Sequence, residues 1–179
     1  MKLISPSTDF KESFIEAVKE YQNDSEYPRS FREDSYRTLA ISELENDFDV
    51  YVQKRLSQSR GENLPEGYVP QTDYWLIDGR EFIGRVSIRH ELSERLEKTG
   101  GHIGYDIRPS KRHRGYGSKI LELGLLKAKE LNIGRVLLTC DEGNVGSRKI
   151  IEKNGGVFEN KVENPETGIY KLRFWITVQ

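Results

Sequence analysis

Two early segments of the chain have apolar residues every three to four positions, which is the spacing of an amphipathic helix. In the first, residues 9–21, Phe14 and Val18 share one face, and Ser7 stands ahead of them as a candidate N-cap. The second covers about residues 43–59. We therefore predict two helices in the first third of the chain.

From Asp73 onward apolar and polar residues alternate, which predicts half-buried strands. Asp78-Gly79 is typical of a tight hairpin turn, since glycine tolerates a positive φ. The predicted strands are 2–4, 74–77, 82–90, 102–108, 136–140, 157–162 and 169–178. Two further helices are expected at about 115–131 and 144–153. This order predicts an α/β fold with a central mixed, mostly antiparallel sheet and helices on both faces.

Composition fits one globular domain over 1–179. The chain has 28 Lys and Arg against 29 Asp and Glu, for a formal net charge of −1. It contains no apolar run long enough to span a membrane and no apolar leader segment, so we expect a cytoplasmic protein. A single cysteine, Cys140, excludes an intrachain disulfide, and the three histidines show no metal-ligand spacing.

The near-zero net charge hides an asymmetry. Residues 1–75 hold nine basic and fifteen acidic side chains, so the remainder of the chain is basic. One interpretation is an acidic half that faces a cation and a basic half that faces an anion; the other is ordinary solvated surface. A nucleic-acid partner is disfavoured, because no basic strand carries interleaved aromatic residues.

The most informative segment is the basic, glycine-containing turn RHRGYG at 112–117, between a predicted strand and a predicted helix. A helix start offers unpaired N–H groups and partial positive charge, and glycine lets an anion approach the backbone. The turn is therefore a candidate diphosphate site. It lacks the Gly-Lys-Ser/Thr ending of a P-loop, and Ile120 replaces the third glycine of a dinucleotide fingerprint. A solvated basic helix start is the alternative.

These residues resemble the GCN5-related N-acetyltransferase (GNAT) superfamily. Its signature Arg/Gln-x-x-Gly-x-Gly/Ala is met by residues 112–117, and its Asn-x-x-Ala/Ser…Glu-Lys-x-Gly-Phe element is similar to residues 144–158. The resemblance is strong over residues 73–179 and weak over 1–72. It implies an acetyl-CoA-binding core over 73–179, with 1–72 forming N-terminal helices and the acceptor side.

The resemblance also implies where acetyl-CoA binds: in a V-shaped opening between two splayed parallel strands, 102–108 and 136–140, without a metal. The resemblance implies that Asn144 hydrogen-bonds near the pantetheine or orders water at the thioester. A role as a helix cap is an equal alternative, and both can hold at once. The cofactor-binding residues implied are Ile107, Arg112, His113, Arg114, Gly115, Tyr116, Gly117, Ser118, Asn144 and Ser147.

Acetyl transfer to an amine needs a group that takes the amine proton, a donor to the thioester oxygen and a proton for the departing thiolate. The tyrosine that relatives often use as the acid is replaced by Ile151, and a glutamate that some use as the base is replaced by Thr139. His102 and Asp106 are the first candidates for catalysis. Weaker candidates are Glu91, Cys140, Tyr105 and Tyr170.

The function expected from the sequence is direct transfer of an acetyl group to a primary amine of a small molecule or peptide. An acetyl-CoA sensor or partner-binding module with little catalysis is the alternative, supported by the missing tyrosine. No nucleic-acid or membrane partner is expected. A homodimer is possible through the terminal strand 169–178.

Overall fold

The computed structural model describes residues 1–25, 35–62 and 64–178. The sequence predicted no elements in the polar stretch that precedes the second helix. Residues 26–34 of that stretch lie outside the described residues. The strands are β1 (Lys2–Ile4), β2 (Gln71–Asp78), β3 (Glu81–Arg89), β4 (Ile103–Ile107), β5 (Arg135–Asp141), β6 (Val157–Glu163) and β7 (Tyr170–Thr177). The α-helices are α1 (Lys11–Asn23), α2 (Ile41–Asn46), α3 (Phe48–Ser57), α4 (Tyr116–Glu130) and α5 (Val145–Lys153).

The strands form two antiparallel sheets, one in the order β1-β2-β3-β4 and one in the order β5-β7-β6. They meet where Gly101 bridges to Leu138 and the His102 N–H donates to the Leu137 carbonyl at 2.7 Å. No ladder joins β4 to β5 among the described residues, so the sheets separate beyond this contact. The predicted architecture is confirmed, while the parallel direction of β4 and β5 stays a prediction.

Side chains that alternate along β2 pack into two cores on opposite faces of the first sheet. Trp75 and Ile77 pack with α1, α2 and α3, whereas Leu76 packs with α4 and the second sheet. In the first core the Phe14 ring stacks on the Trp75 ring with centroids 4.8 Å apart. Helices therefore cover both faces, as predicted.

The segment predicted as the second helix forms two helices, α2 and α3, because the helix is interrupted at Asp47. Its backbone lies at φ −125° and ψ 42°, while its N–H still donates to the Glu43 carbonyl at 2.8 Å. Asn46 and Asp47 favour such a break, since their short polar side chains compete with the helical backbone. The kink leaves both Leu44 and Phe48 in the core.

The terminal strand lies in the middle of its sheet. β7 pairs with β5 along one edge and with β6 along the other. The expected dimer contact through 169–178 is therefore wrong, because both edges are occupied within the chain. The outer strands of this sheet are β5, whose outer edge meets the first sheet at the Gly101–Leu138 contact, and β6. A homodimer as such stays a prediction.

Candidate functional site

A cleft of about 1010 Å³ opens where the two sheets separate. One end is formed by the glycine turn and the start of α4, the side by β4 and the start of α5, and the other end by β3 and β2. The polar residues at the β3 end are Ser35, Gln71, Arg85, Ser87, Arg89 and Asp106. Among the described lining residues Asp106 is the one carboxylate, and the described part of residues 1–75 contributes only Ser35 and Gln71 to this lining.

The two glycines of the turn serve different purposes. Gly115 has φ +83°, a left-handed conformation that disfavours other residues, and a Cβ there would meet no atom within 4 Å. A Cβ on Gly117 would lie 2.6 Å from Cδ1 of Ile150 on α5, so this glycine permits close packing of the two helices. The α4 N-terminus has no side-chain cap, and its first N–H groups have no partner within the helix. The turn thus fits an anionic diphosphate.

Most of the expected cofactor-binding residues line this cleft. They are Ile107, Arg112, His113, Gly115, Gly117, Ser118, Asn144 and Ser147. Arg114 is exposed outside it, and the Tyr116 hydroxyl turns away to donate to Asp78 Oδ2 at 2.9 Å. Contact of these residues with the cofactor stays a prediction.

Arg112, the first residue of the signature, already has an ion-pair partner. Its guanidinium lies 2.7 Å from Asp24 Oδ2, and its Nε donates to the Ile107 carbonyl at 3.3 Å. The side chain therefore joins the C-terminal end of α1 to the end of β4. A diphosphate at the turn would meet an arginine whose charge Asp24 partly neutralises.

At the start of α5, Asn144 Oδ1 accepts the Ser147 N–H at 2.9 Å, which confirms its role as the helix cap. The Ser147 hydroxyl lies 2.9 Å from the Tyr105 hydroxyl, and both residues line the cleft. Burial raises the pKa of Tyr105 to about 12, so the phenol stays protonated at neutral pH. Ile151 is fully buried in the core. Position 151 therefore offers no proton donor, as its sequence indicated, and the hydroxyl pair is the group on the cleft that can donate a hydrogen bond.

Asp106 lies in the cleft, and its carboxyl is held by three side chains. Oδ1 accepts hydrogen bonds from the Tyr21 hydroxyl at 2.9 Å and the Tyr36 hydroxyl at 3.0 Å. Oδ2 lies 3.5 Å from Nη2 of Arg85. Burial raises the pKa of Asp106, although Arg85 and the two tyrosines oppose that change. A largely buried carboxylate with a raised pKa holds a proton more readily than an exposed one, which suits a proton acceptor.

A buried ion pair supports the site from behind. Asp73, on β2, pairs with Arg55 of α3, whose Nε lies 2.6 Å from Oδ2, and accepts the Ser87 hydroxyl at 2.6 Å on Oδ1. Burial would raise the pKa of Asp73, but Arg55, Arg85 and Ser87 outweigh it and the pKa is lowered. Basic and acidic side chains therefore alternate from α3 to the cleft, in the order Arg55, Asp73, Arg85 and Asp106.

His102 lies at the junction of the two sheets and not among the cleft residues. Its ring Nδ1 accepts the Leu137 N–H at 2.9 Å. Burial and the Arg89 charge lower its pKa, so the imidazole is neutral near pH 7. The sequence placed His102 and Asp106 on one strand face, but the structure does not bring them together at the cleft.

One face of α1, which the resemblance scarcely covered, reaches the site with several polar residues. Glu20 accepts from Arg108 Nε at 2.8 Å and from the Ser110 N–H at 3.0 Å. Burial would raise the pKa of Glu20, but the hydrogen bonds from Ser110 and Arg108 lower it. The residues of α1 and its C-cap that contact 106–112 are Ser13, Glu16, Glu20, Tyr21 and the C-cap Asp24. Their spacing of one to four residues is the signal in the sequence that could have identified this face.

The described residues also bear on membrane spanning and on metal binding. No helix among them is long and apolar enough to cross a membrane. Within the same residues no three His, Cys, Asp or Glu side chains cluster as metal ligands would.

Comparison with known proteins gives one family match and many structural ones. Residues 14–157 match the family described as "Acetyltransferase (GNAT) domain". None of the curated proteins compared matches the chain.

Three solved structures illustrate the structural similarity. The ribosomal L7/L12 α-N-protein acetyltransferase RimL, in complex with coenzyme A, is 17% identical, with a TM-score of 0.69 over 98% of this chain and 93% of that one. The microcin C7 self-immunity acetyltransferase MccE, with acetyl-CoA and AMP, is 12% identical, with a TM-score of 0.69 over 98% and 91%. A chimera of the spermidine N-acetyltransferase SpeG from Vibrio cholerae and hSSAT is 16% identical, with a TM-score of 0.61 over 99% and 96%. At these identities the matches show the fold.

Proposed function

Because the chain belongs to the GNAT family of acetyl-CoA-dependent acetyltransferases, we propose that it moves an acetyl group directly to a primary amine of a small molecule or peptide. One observation carries the proposal: a single cleft joins the glycine turn to the buried carboxyl of Asp106. The turn suits a diphosphate, and the carboxyl suits a cationic amine. The distance between them is spanned by the open edge of β4.

At the cofactor end, backbone N–H groups from His113 to Ser118 receive the diphosphate, since the Arg112 N–H donates to the Pro109 carbonyl at 3.2 Å. The helix α4 adds partial positive charge there. The edge of β4 that faces away from β3 is available to an extended chain between Gly104 and Ile107. When bound, acetyl-CoA supplies a thioester whose acyl carbon an amine can attack.

At the acceptor end, Asp106 attracts the ammonium form of the amine and takes its proton. The neutral amine can then attack, because its nitrogen lone pair is free. On the other face of β4, the Tyr105 and Ser147 hydroxyls share one hydrogen bond, so one of the two O–H groups is left to donate toward the departing sulfur. His102 has a different role in this proposal, which is to fasten β4 to β5 through Leu137.

The structural neighbours suggest two kinds of acceptor. The name of RimL refers to the α-amine of a ribosomal protein, and that of SpeG to spermidine. Both are primary amines, in agreement with the expected class. Arg85 and Arg89 line the acceptor end beside Asp106, which favours an acceptor with a single amine over a long polycation.

Calorimetric titration with acetyl-CoA tests the cofactor end. Ser118 lies in the first turn of α4, where a carboxylate stabilises the helix but repels a diphosphate. We expect Ser118→Asp to weaken acetyl-CoA binding by about tenfold or more, the cost of roughly 1.4 kcal/mol, while the melting temperature is unchanged. Ser118→Ala is the matched control and should bind within a few-fold of the wild type.

Thiol release from acetyl-CoA tests the transfer. We expect release to depend on an amine, drawn from a panel of short peptides, polyamines and small monoamines, and to be lost in Asp106→Asn. If the wild type binds acetyl-CoA but none of the amines in the panel causes thiol release, the proposed transfer is contradicted. Wild-type protein that does not bind acetyl-CoA would contradict the assignment of the glycine turn.

A further inference from the structure

We infer that Tyr21 and Tyr36 are positioning residues for Asp106: they hold one carboxyl oxygen so that the other faces the acceptor, and they set the pH range in which the amine is acetylated. This inference rests on the proposed function, because it takes Asp106 as the group that receives the amine proton. It assigns a role in the reaction to the N-terminal part of the chain.

The two tyrosines reach Asp106 from separate elements. Tyr21 lies near the end of α1, and Tyr36 begins a short 3-10 turn. Both side chains are fully buried, and their rings stack with centroids 4.1 Å apart and an interplanar angle of 2°. The stacked pair is a rigid support, since neither ring can turn without displacing the other.

Both hydroxyls donate to the same oxygen of Asp106. A carboxylate oxygen has about two lone pairs, so the Tyr21 and Tyr36 hydroxyls saturate Oδ1. Oδ2 has the Arg85 guanidinium at 3.5 Å, beyond the usual hydrogen-bond distance. The Asp106 side chain is 18% exposed and lines the cleft. The Arg85 backbone N–H also donates to the carboxyl. Because the tyrosines occupy Oδ1, Oδ2 is the oxygen that we assign to the amine.

The charged groups around Asp106 favour its carboxylate form. The two phenols donate from α1 and the 3-10 turn, and Arg85 faces the carboxyl from β3. Arg85 also lies over the Tyr36 ring, with its Cζ 5.0 Å from the centroid. The buried phenol of Tyr51, on α3, interacts with both Arg85 and Asp106. Burial still prevails and raises the pKa of Asp106, so each hydroxyl that is lost should raise it further.

The first test needs no substrate. Carbon-13 NMR of the aspartate carboxyls follows the ionisation of Asp106, whose signal is identified by its loss in Asp106→Asn. We expect its titration midpoint to rise by about one pH unit in Tyr21→Phe and in Tyr36→Phe, since each variant removes one hydrogen bond to a charged group. The rings and their stacking are retained in both variants.

The matched control is Tyr74→Phe, which removes a phenol from the face of β2 that packs with α4. We expect it to leave the midpoint unchanged. An unchanged midpoint in both Tyr21→Phe and Tyr36→Phe would overturn the inference and reduce the pair to a packing role.

The second test uses the amine acceptor found by thiol release. The acid limb of kcat/KM should move to higher pH in Tyr21→Phe and Tyr36→Phe by the same amount as the NMR midpoint. If the midpoint moves and the acid limb does not, Asp106 is held by the tyrosines but does not take the amine proton. A wild type without transfer activity would instead count against the proposed function, and the NMR result would still decide the positioning.

Discussion

At the scale of single residues, the position of Asp106 depends on a glycine in the neighbouring strand. Gly84, on β3, pairs with Ile107 on β4. A Cβ at position 84 would lie 2.2 Å from the Asp106 carbonyl oxygen and 3.1 Å from the Ile107 Cα. Both atoms belong to the backbone and cannot rotate aside. Gly84 therefore sets how closely β4 approaches β3 at the site.

We predict that Gly84→Ala destabilises the protein by about 1–3 kcal/mol, because β4 must move away from β3. Amine acetylation should fall as well, since Asp106 moves with β4. Urea unfolding and thiol release measure the two effects. Gly134→Ala is the control, because a Cβ there meets no atom within 4 Å and the glycine has no positive φ. Equal stability of the two variants would contradict the close approach.

The sequence identified Asp106 by its place on a strand, but it did not identify the groups that hold it. Tyr21 ends the first predicted helix, whereas Tyr36 lies in the polar stretch 22–46, and each looks like an ordinary core aromatic. Their role depends on two distant segments meeting at one oxygen, which local spacing does not encode. The glycine turn was easier to predict, because the whole motif lies within six consecutive residues.

At the scale of elements, the junction of the two sheets depends on a neutral histidine. His102 Nδ1 accepts the Leu137 N–H, and the His102 N–H donates to the Leu137 carbonyl. Protonation of Nδ1 would remove the first of these hydrogen bonds. Burial, followed by the Arg89 charge, lowers the pKa of His102 below its ordinary 6.5.

We predict that the wild type loses stability as the pH falls from about 6.5 toward the lowered pKa of His102. In this range the unfolded chain binds more protons than the folded one, so the free energy of unfolding decreases as the pH falls. His102→Asn supplies an amide oxygen that accepts the Leu137 N–H without titrating, so its stability should fall less between pH 7 and pH 5. Urea unfolding at several pH values measures both slopes.

His90, whose pKa is also lowered by burial, is present in both proteins, so the difference between their slopes isolates His102. Parallel stability curves would show that the junction does not depend on a neutral imidazole.

Secondary-structure elements were predictable where a period or a turn was explicit. The hairpin at Asp78-Gly79 and the cap at Asn144 occur as expected. The break at Asp47 was missed, because the apolar stripe continues across it. The central place of β7 was missed as well, since alternation along a strand does not say which partners it pairs with.

At the scale of the whole molecule, β2 and β3 contribute to both cores. Leu76 and Ile83 belong to the core beneath α4, while Trp75 and Phe82 belong to the core beneath α1. Neither core can be exposed without disturbing strands that the other needs. The chain should therefore unfold as one domain, in agreement with the expectation for 1–179.

We predict a single cooperative unfolding transition. In Trp175→Phe the fluorescence reports Trp75 alone, in the core beneath α1, since the chain has two tryptophans. Its urea midpoint should coincide with the midpoint from far-ultraviolet circular dichroism, which reports all elements. Two separate midpoints would show that 1–72 and 73–179 unfold independently.

The helix α1 also fixes the spacing between two contacts, one at each end of the cleft. Tyr21 contacts Asp106 at the acceptor end, and Asp24, three residues later, contacts Arg112 at the cofactor turn. Asp24 is the C-cap directly after α1, so the helix sets its rise of about 4.5 Å and its direction relative to Tyr21. One inserted residue would rotate one contact by about 100° relative to the other, so both cannot persist. The length of this segment is therefore constrained even where its side chains are free to vary.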